Sequence, residues 1–265
     1  MDYRKAIQDR VLTKGEKSLL HVRTTLKHFS IITYAVPKER LASHIPEEYF
    51  DIPVFETKNG RYALISAVPF IDEDFSFTTF PYPRFQFGQT NYRAYVINKK
   101  TGDHVAWFFG TTLGSYSYVI ARKCWKLPWH YGKYNIDCFW DPASNRYARY
   151  RFNIASSWSS AHVEIEDTGH PISLLEGFES LDQMKLILTH PAQGFYYRTD
   201  HHLGTYTIWH PEAVMTAAIP KKLYFGIFER LKLVHAHEMN LPYSVFVSPS
   251  IAFEIYLPPN RVPGI

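Results

Sequence analysis

Residues 90–98 read TNYRAYVIN, and their alternation decides the fold class. In a strand, successive side chains point to opposite faces, so Asn91, Arg93 and Tyr95 share one face while Tyr92, Ala94 and Val96 share the other. The second face is apolar enough to pack beneath outer helices. The first carries an arginine that suits a partly dry cavity. Working outward, residues 63–70 and 105–111 are β-branched and aromatic in the same way, and KNGR (58–61) and KKTGD (99–103) supply turn chemistry beside them. Further strands are predicted over residues 24–35, 51–55, 135–140, 147–154, 161–165, 195–200, 205–210, 231–238 and 251–256. DPASN (141–145) makes a hairpin loop.

A helical period replaces the strand period in a few places. Residues 115–127 place Tyr116, Val119, Ile120, Cys124 and Leu127 on one stripe, and Pro128 stops them. Helices are also predicted over residues 2–20, 37–45, 181–188 and 212–218. Many strands with few helices between them give an α+β, mostly β fold, a closed antiparallel β-barrel with a few flanking helices. With no repeat and no Ser/Gly-rich linker, residues 1–22 read as a helical N-terminal extension and 23–265 as one domain.

Composition narrows the function classes. Hydrophobic residues are 46% and charged residues 20%, which describes a globular chain and not a disordered one. Aromatics at 17% fit strands and the walls of a pocket. The net charge of +4 permits an anionic ligand without calling for nucleic acid. Two cysteines, Cys124 and Cys138, are too few for a disulfide scaffold, and the charged N-terminus has no apolar core of a signal peptide, so a cytoplasmic location is expected. No apolar run is long enough to span a membrane.

Each chemically suggestive residue also has a plainer role open to it. Arg93, if it faces a cavity, can clamp a carboxylate or phosphate; on a solvated face it is only a surface cation. RYARYRF (146–152) mixes basic and aromatic residues, but alternation separates Arg149 and Arg151 from Tyr150 and Phe152, as in an amphipathic strand with a solvated basic face. His235 and His237 share a strand face beside Glu238, yet nothing fixes the third ligand that zinc requires, so no metal is assigned. Lys123 falls within an apolar helix stripe, where snorkelling to water is the plain reading and a Schiff base the sharp one. There is no G-x-S-x-G elbow and no glycine-rich phosphate loop.

Five ordered pieces resemble a known family. They are VPKERLASHIPEEYFDIPVFETKNGRYALISAVPF (36–70), TNYRAYV (90–96), HVAWFFGTTLGSYSYVIARKCWKLPWHYGKYNI (104–136), GFYYRTDHHLGTYTIWHPEAVMTAAIP (194–220) and LVHAHEMNLPYSVFVSPSIAFEIYLPP (233–259). Together they resemble domain of unknown function 2071, a branch of the acetoacetate decarboxylase-like superfamily, over residues 23–258. The resemblance implies a closed, mostly antiparallel β-barrel with a central cavity. Acetoacetate decarboxylases carry a Schiff-base lysine in a G-[FY]-P-K-K segment. Here the matching segment is KLPWH (126–130), so Trp129 and His130 stand where the lysines would be.

The resulting expectation is a cytoplasmic barrel that binds a small anionic or carbonyl-bearing molecule without a Schiff-base lysine. Asn91, Arg93, Tyr95, Trp129, His130 and Arg198 are the expected ligand-binding residues. The alternative is a lyase or hydrolase on the same cavity with His130 as general acid/base. Neither cofactor nor metal is implied. The expected partner is a small molecule, not nucleic acid or membrane, and a homo-oligomer fits the same reading.

Overall fold

Strands dominate the computed structural model, which describes residues 2–16, 18–191 and 193–262. Met1 and Lys17 of the expected extension, and residues 263–265 at the far end, lie outside the described residues. The chain begins with helix α1 (Tyr3–Leu12), strand β1 (Val22–Val36), helix α2 (Lys38–Ala42) and two short strands, β2 (Phe50–Asp51) and β3 (Phe55–Thr57). Three long strands follow: β4 (Gly60–Phe77), β5 (Phe85–Asn98) and β6 (His104–Leu113). Helix α3 (Tyr118–Cys124) and strand β7 (Trp129–Tyr131) lead to β8 (Lys133–Asp141), β9 (Arg146–Ala155) and β10 (Ala161–Pro171). The last part comprises α4 (Leu181–Thr189), β11 (Gln193–Tyr197), β12 (Leu203–Trp209), β13 (Thr216–Phe225), α5 (Gly226–Arg230) and β14 (Ser244–Arg261).

Strand β1 pairs antiparallel with β4 on one side and β14 on the other. The pairing path therefore runs β1-β4-β5-β6-β11-β12-β14 and returns to β1. Every step of this ring is antiparallel except β6–β11, which is parallel. Strand β14 also pairs with β13, from which β10, β9 and β8 continue as a wing.

The two faces of β5 divide as its sequence predicts. Tyr92, Ala94 and Val96 are buried in the larger core cluster, with Tyr150, Phe152, Phe225 and Phe228 of the wing and α5. The Tyr92 ring meets Trp158 edge-on at 5.6 Å and Phe228 at 5.7 Å. The layer over this face is thus mainly the wing, where helices were expected. Hydrophobic burial and edge-to-face ring contacts hold the two layers together. On the wing's other face, Arg149 pairs with Asp137 at 2.7 Å and Arg151 with Glu164 at 2.9 Å, so the basic row of RYARYRF is partnered across strands.

Several predicted elements differ. Residues 212–218 are not a helix; Thr216 begins β13, whose pairing with β10 overrides the helix preference of Ala217 and Ala218. Pro220 sits there at a register shift, where a missing N–H is tolerated. Residues 231–238 are not a strand but a turn and a short 3-10 segment, closed by Glu238 accepting from the His235 N–H at 2.7 Å. Helix α1 ends at Leu12, and Lys14 beyond it pairs with Glu254 at 2.8 Å. Helix α3 is also shorter than its apolar stripe. Ala121 is its buried residue, whereas Tyr116, Ile120 and Cys124 are exposed and Lys123 reaches water.

Candidate functional site

Within the ring of strands lies a cavity of about 310 Å³. Strand β5 gives it one polar wall, Gln89, Asn91 and Arg93, because alternate residues of a strand face one way. The walls from other strands are largely apolar, with Phe29, Phe70, Phe108 and Phe253 among them, and Trp125 and Trp129 close one side. No lysine lines the cavity among the described residues.

Arg93 is only 7% exposed. Its Nε donates to Ser66 Oγ at 3.2 Å, and its Nη2 donates to the Leu188 carbonyl at 2.9 Å and to Tyr95 Oη at 3.3 Å. The guanidinium carbon lies 5.3 Å from the centre of the Tyr95 ring. Every one of these partners is neutral. A guanidinium cannot give up its proton, so the cavity contains a buried positive charge with no carboxylate of the described residues bonded to it. Beside it, Asn91 Oδ1 accepts from Thr111 Oγ1 at 2.8 Å and from Gln89 Nε2 at 3.0 Å.

Asp72 and His210 also line the cavity. Asp72 is 1% exposed, and Thr24 Oγ1 donates to its Oδ1 at 3.0 Å. Burial pushes this carboxyl up to about 7, against the smaller opposing effect of the Thr24 bond. His210 stacks between His190, at 4.4 Å, and Phe253, at 5.6 Å. Its Nδ1 donates to the Pro211 carbonyl at 2.8 Å. Burial is the main cause holding it down at about 4, and the Arg93 charge adds to that, so the ring is neutral near pH 7.

The expected residues separate into those at the cavity and those away from it. Asn91, Arg93 and Trp129 line it. Tyr95 stands behind Arg93, its hydroxyl 2.9 Å from Ser66 Oγ, and is not itself a lining residue. His130 follows Trp129 on β7, and adjacent strand residues face opposite ways. It faces an outer groove with Tyr118, Arg122 and Ser156, and its ring stacks on Trp158 at 4.2 Å. Its Nδ1 accepts from Arg122 at 3.3 Å, and burial, then the charges of Arg122 and Arg230, hold it down at about 4. Arg198 lies just past β11, its Nε and Nη2 donating to the Asp200 carboxylate at 2.9 and 2.8 Å, and does not line the cavity. Among the described residues no cluster of His, Cys, Asp and Glu could hold a metal ion, and no helix is long and apolar enough to cross a membrane.

A family model described as an uncharacterized conserved protein, DUF2071, matches residues 23–252. The chain belongs to the DUF2071 family. No curated protein matches this DUF2071 chain. Solved structures share its fold at low identity. An acetoacetate decarboxylase from Legionella pneumophila aligns with a TM-score of 0.58 at 11% identity, covering 97% of this chain and 95% of that one. An acetoacetate decarboxylase-like enzyme from Sphingomonas wittichii RW1 aligns at 0.58 and 10%, covering 96% and 98%. The enduracididine biosynthesis enzyme MppR, complexed with pyruvate, aligns at 0.55 and 9%, covering 94% and 92%. The DUF2071 chain thus has an acetoacetate decarboxylase-like, mostly β fold.

Proposed function

We propose that the ring of strands is a closed barrel and that its cavity binds a small anionic or carbonyl-bearing organic molecule. The buried Arg93 guanidinium, bonded among the described residues only to neutral partners, carries this reading. Such a charge is costly in a low-dielectric interior, and a ligand carboxylate offsets that cost with charge-assisted hydrogen bonds. MppR, of like fold, is complexed with a 2-oxo carboxylate, which supports the same ligand class. The protein works without a Schiff-base lysine: no lysine lines the cavity among the described residues, and Trp129 occupies its wall. Borohydride added with a β-keto acid is therefore expected to leave no covalent adduct in the mass spectrum.

The test is Arg93→Met, followed by calorimetric titration with acetate and pyruvate. Ser66, Tyr95 and the Leu188 carbonyl keep bonds among themselves at 2.9 and 3.3 Å when the arginine is gone, so no acceptor is stranded. The fold is expected to survive with a loss of about 1–2 kcal/mol. Carboxylate binding is expected to weaken at least about tenfold, the loss of one charge-assisted contact. Unchanged binding in a folded variant would overturn the reading.

A further inference from the structure

The polar groups that β5 gives the cavity stand at one end of a long space, while Asp72, paired with Phe87, and Ser115 and Ser117 also line it. Arg93, Asn91, Gln89, Phe87 and Phe85 follow one another along the same face of β5 and all line it. From Arg93 to Phe85 the strand advances eight residues, about 26 Å at ~3.3 Å per residue. On the paired strand β4, Val68 and Phe70 lead to Phe75 and Phe77 at the same far end. That end opens to solvent, for Phe85 is 50% exposed, and Ile120 of α3, which also lines the cavity, is 57% exposed. Exposed rings at the mouth of an apolar cavity mark a ligand-binding surface more often than ordinary surface does. A compact acid fills little of the volume, since one water takes about 30 Å³ of liquid. It would leave the aromatic walls toward the mouth without contacts.

We propose that the natural ligand is an elongated carboxylic acid, apolar for most of its length, with its carboxylate on Arg93 and its body lying between β4 and α3 toward Phe85. The proposal rests on the anion-binding reading above and names its ligand class. Asp72, lining the same cavity, is the one carboxyl among the described residues that the body passes. Its burial favours the uncharged form, which an apolar chain tolerates.

The test is titration of the full chain at about pH 6, where Asp72 is mainly protonated, with acetate, hexanoate, decanoate and decanol, read by calorimetry and by the fluorescence of Trp125 and Trp129. Affinity is expected to rise about three- to fourfold per methylene until the cavity is filled. Decanoate should then bind at one site per chain, at least about a hundredfold more tightly than acetate and about tenfold more tightly than decanol. Phe85→Ser, at a half-exposed position, should weaken decanoate and leave acetate unchanged. Equal affinities for acetate and decanoate would overturn the elongated ligand while leaving the anion site standing. No binding by any carboxylate, or decanol binding as well as decanoate with Arg93→Met without effect, would overturn the anion site and this proposal with it.

Discussion

Arg93 and Asp72 are both buried on the cavity wall, yet they respond to burial in opposite ways. The guanidinium keeps its charge and must be solvated by neutral dipoles, whereas the carboxyl sheds its charge by holding its proton up to about 7, against an ordinary 3.8. Between those two values the folded state binds more protons than the unfolded chain, so this group lowers stability as pH rises from about 4 to about 7 and has no further effect above. The neutral histidines His130, His190 and His210 act in the other direction, because their folded values lie below 6.5 and the unfolded chain takes up protons first. Comparing Asp72→Asn with the wild type separates the two. The variant keeps an oxygen for Thr24 and should be more stable than wild type at about pH 8, by on the order of a few kcal/mol, with the advantage vanishing near pH 4. Denaturant titrations across that range check it; parallel curves for the two proteins would show that Asp72 is ionised in the folded state.

At the scale of elements, one irregularity in β6 decides what faces Arg93. The register with β5 shifts so that Tyr92 pairs with Gly110 but Arg93 pairs with Phe108, and Phe108 becomes a cavity wall. Gly110 holds this bulge at φ +154°, and a Cβ there would stand 2.7 Å from the Trp158 ring and 2.9 Å from the Pro128 carbonyl. Gly110→Ala is therefore expected to cost roughly 2–4 kcal/mol and to disturb the His130–Trp158 stack, seen as a lower melting temperature and altered tryptophan fluorescence. What the sequence made legible follows from the same physics. Strand β5 could be read because a period of two is written locally in Asn91 to Val96, and it placed Arg93 and Asn91 correctly on one face. Trp129 and His130 could not both face inward once they proved to be neighbours on a strand. Asp72 escaped notice because the predicted strand stopped at residue 70, although its parity with Ser66, Val68 and Phe70 carried the signal. Strand β13 was illegible, since its alanines and Pro220 argue against a strand until β10 lies beside it.

On the scale of the whole molecule, the first helix is tied to the Arg93 end of the cavity. Ile7 is buried, Tyr3 Oη accepts from Gln183 of α4 at 2.9 Å, and Trp209 of β12 donates to the Val11 carbonyl at 2.8 Å. Arg10 donates to the carbonyls of His190 and His104. The same stretch of chain, from Leu188 to His190, supplies the carbonyl that solvates Arg93 and the ring that stacks on His210. Helix α1 thus braces the segment that positions the buried charge, although its sequence reads only as a charged extension. Deleting residues 2–16 removes a buried isoleucine and at least three long-range hydrogen bonds. A loss of about 3–5 kcal/mol follows, with a melting temperature lower by very roughly 10 °C. If the brace matters for the site, decanoate binding should weaken about tenfold in the truncated chain even well below its melting temperature, because the Leu188 carbonyl is no longer fixed. A lower melting temperature with unchanged affinity would mean that α1 stabilises the fold without shaping the cavity. An unchanged melting temperature would refute the brace altogether.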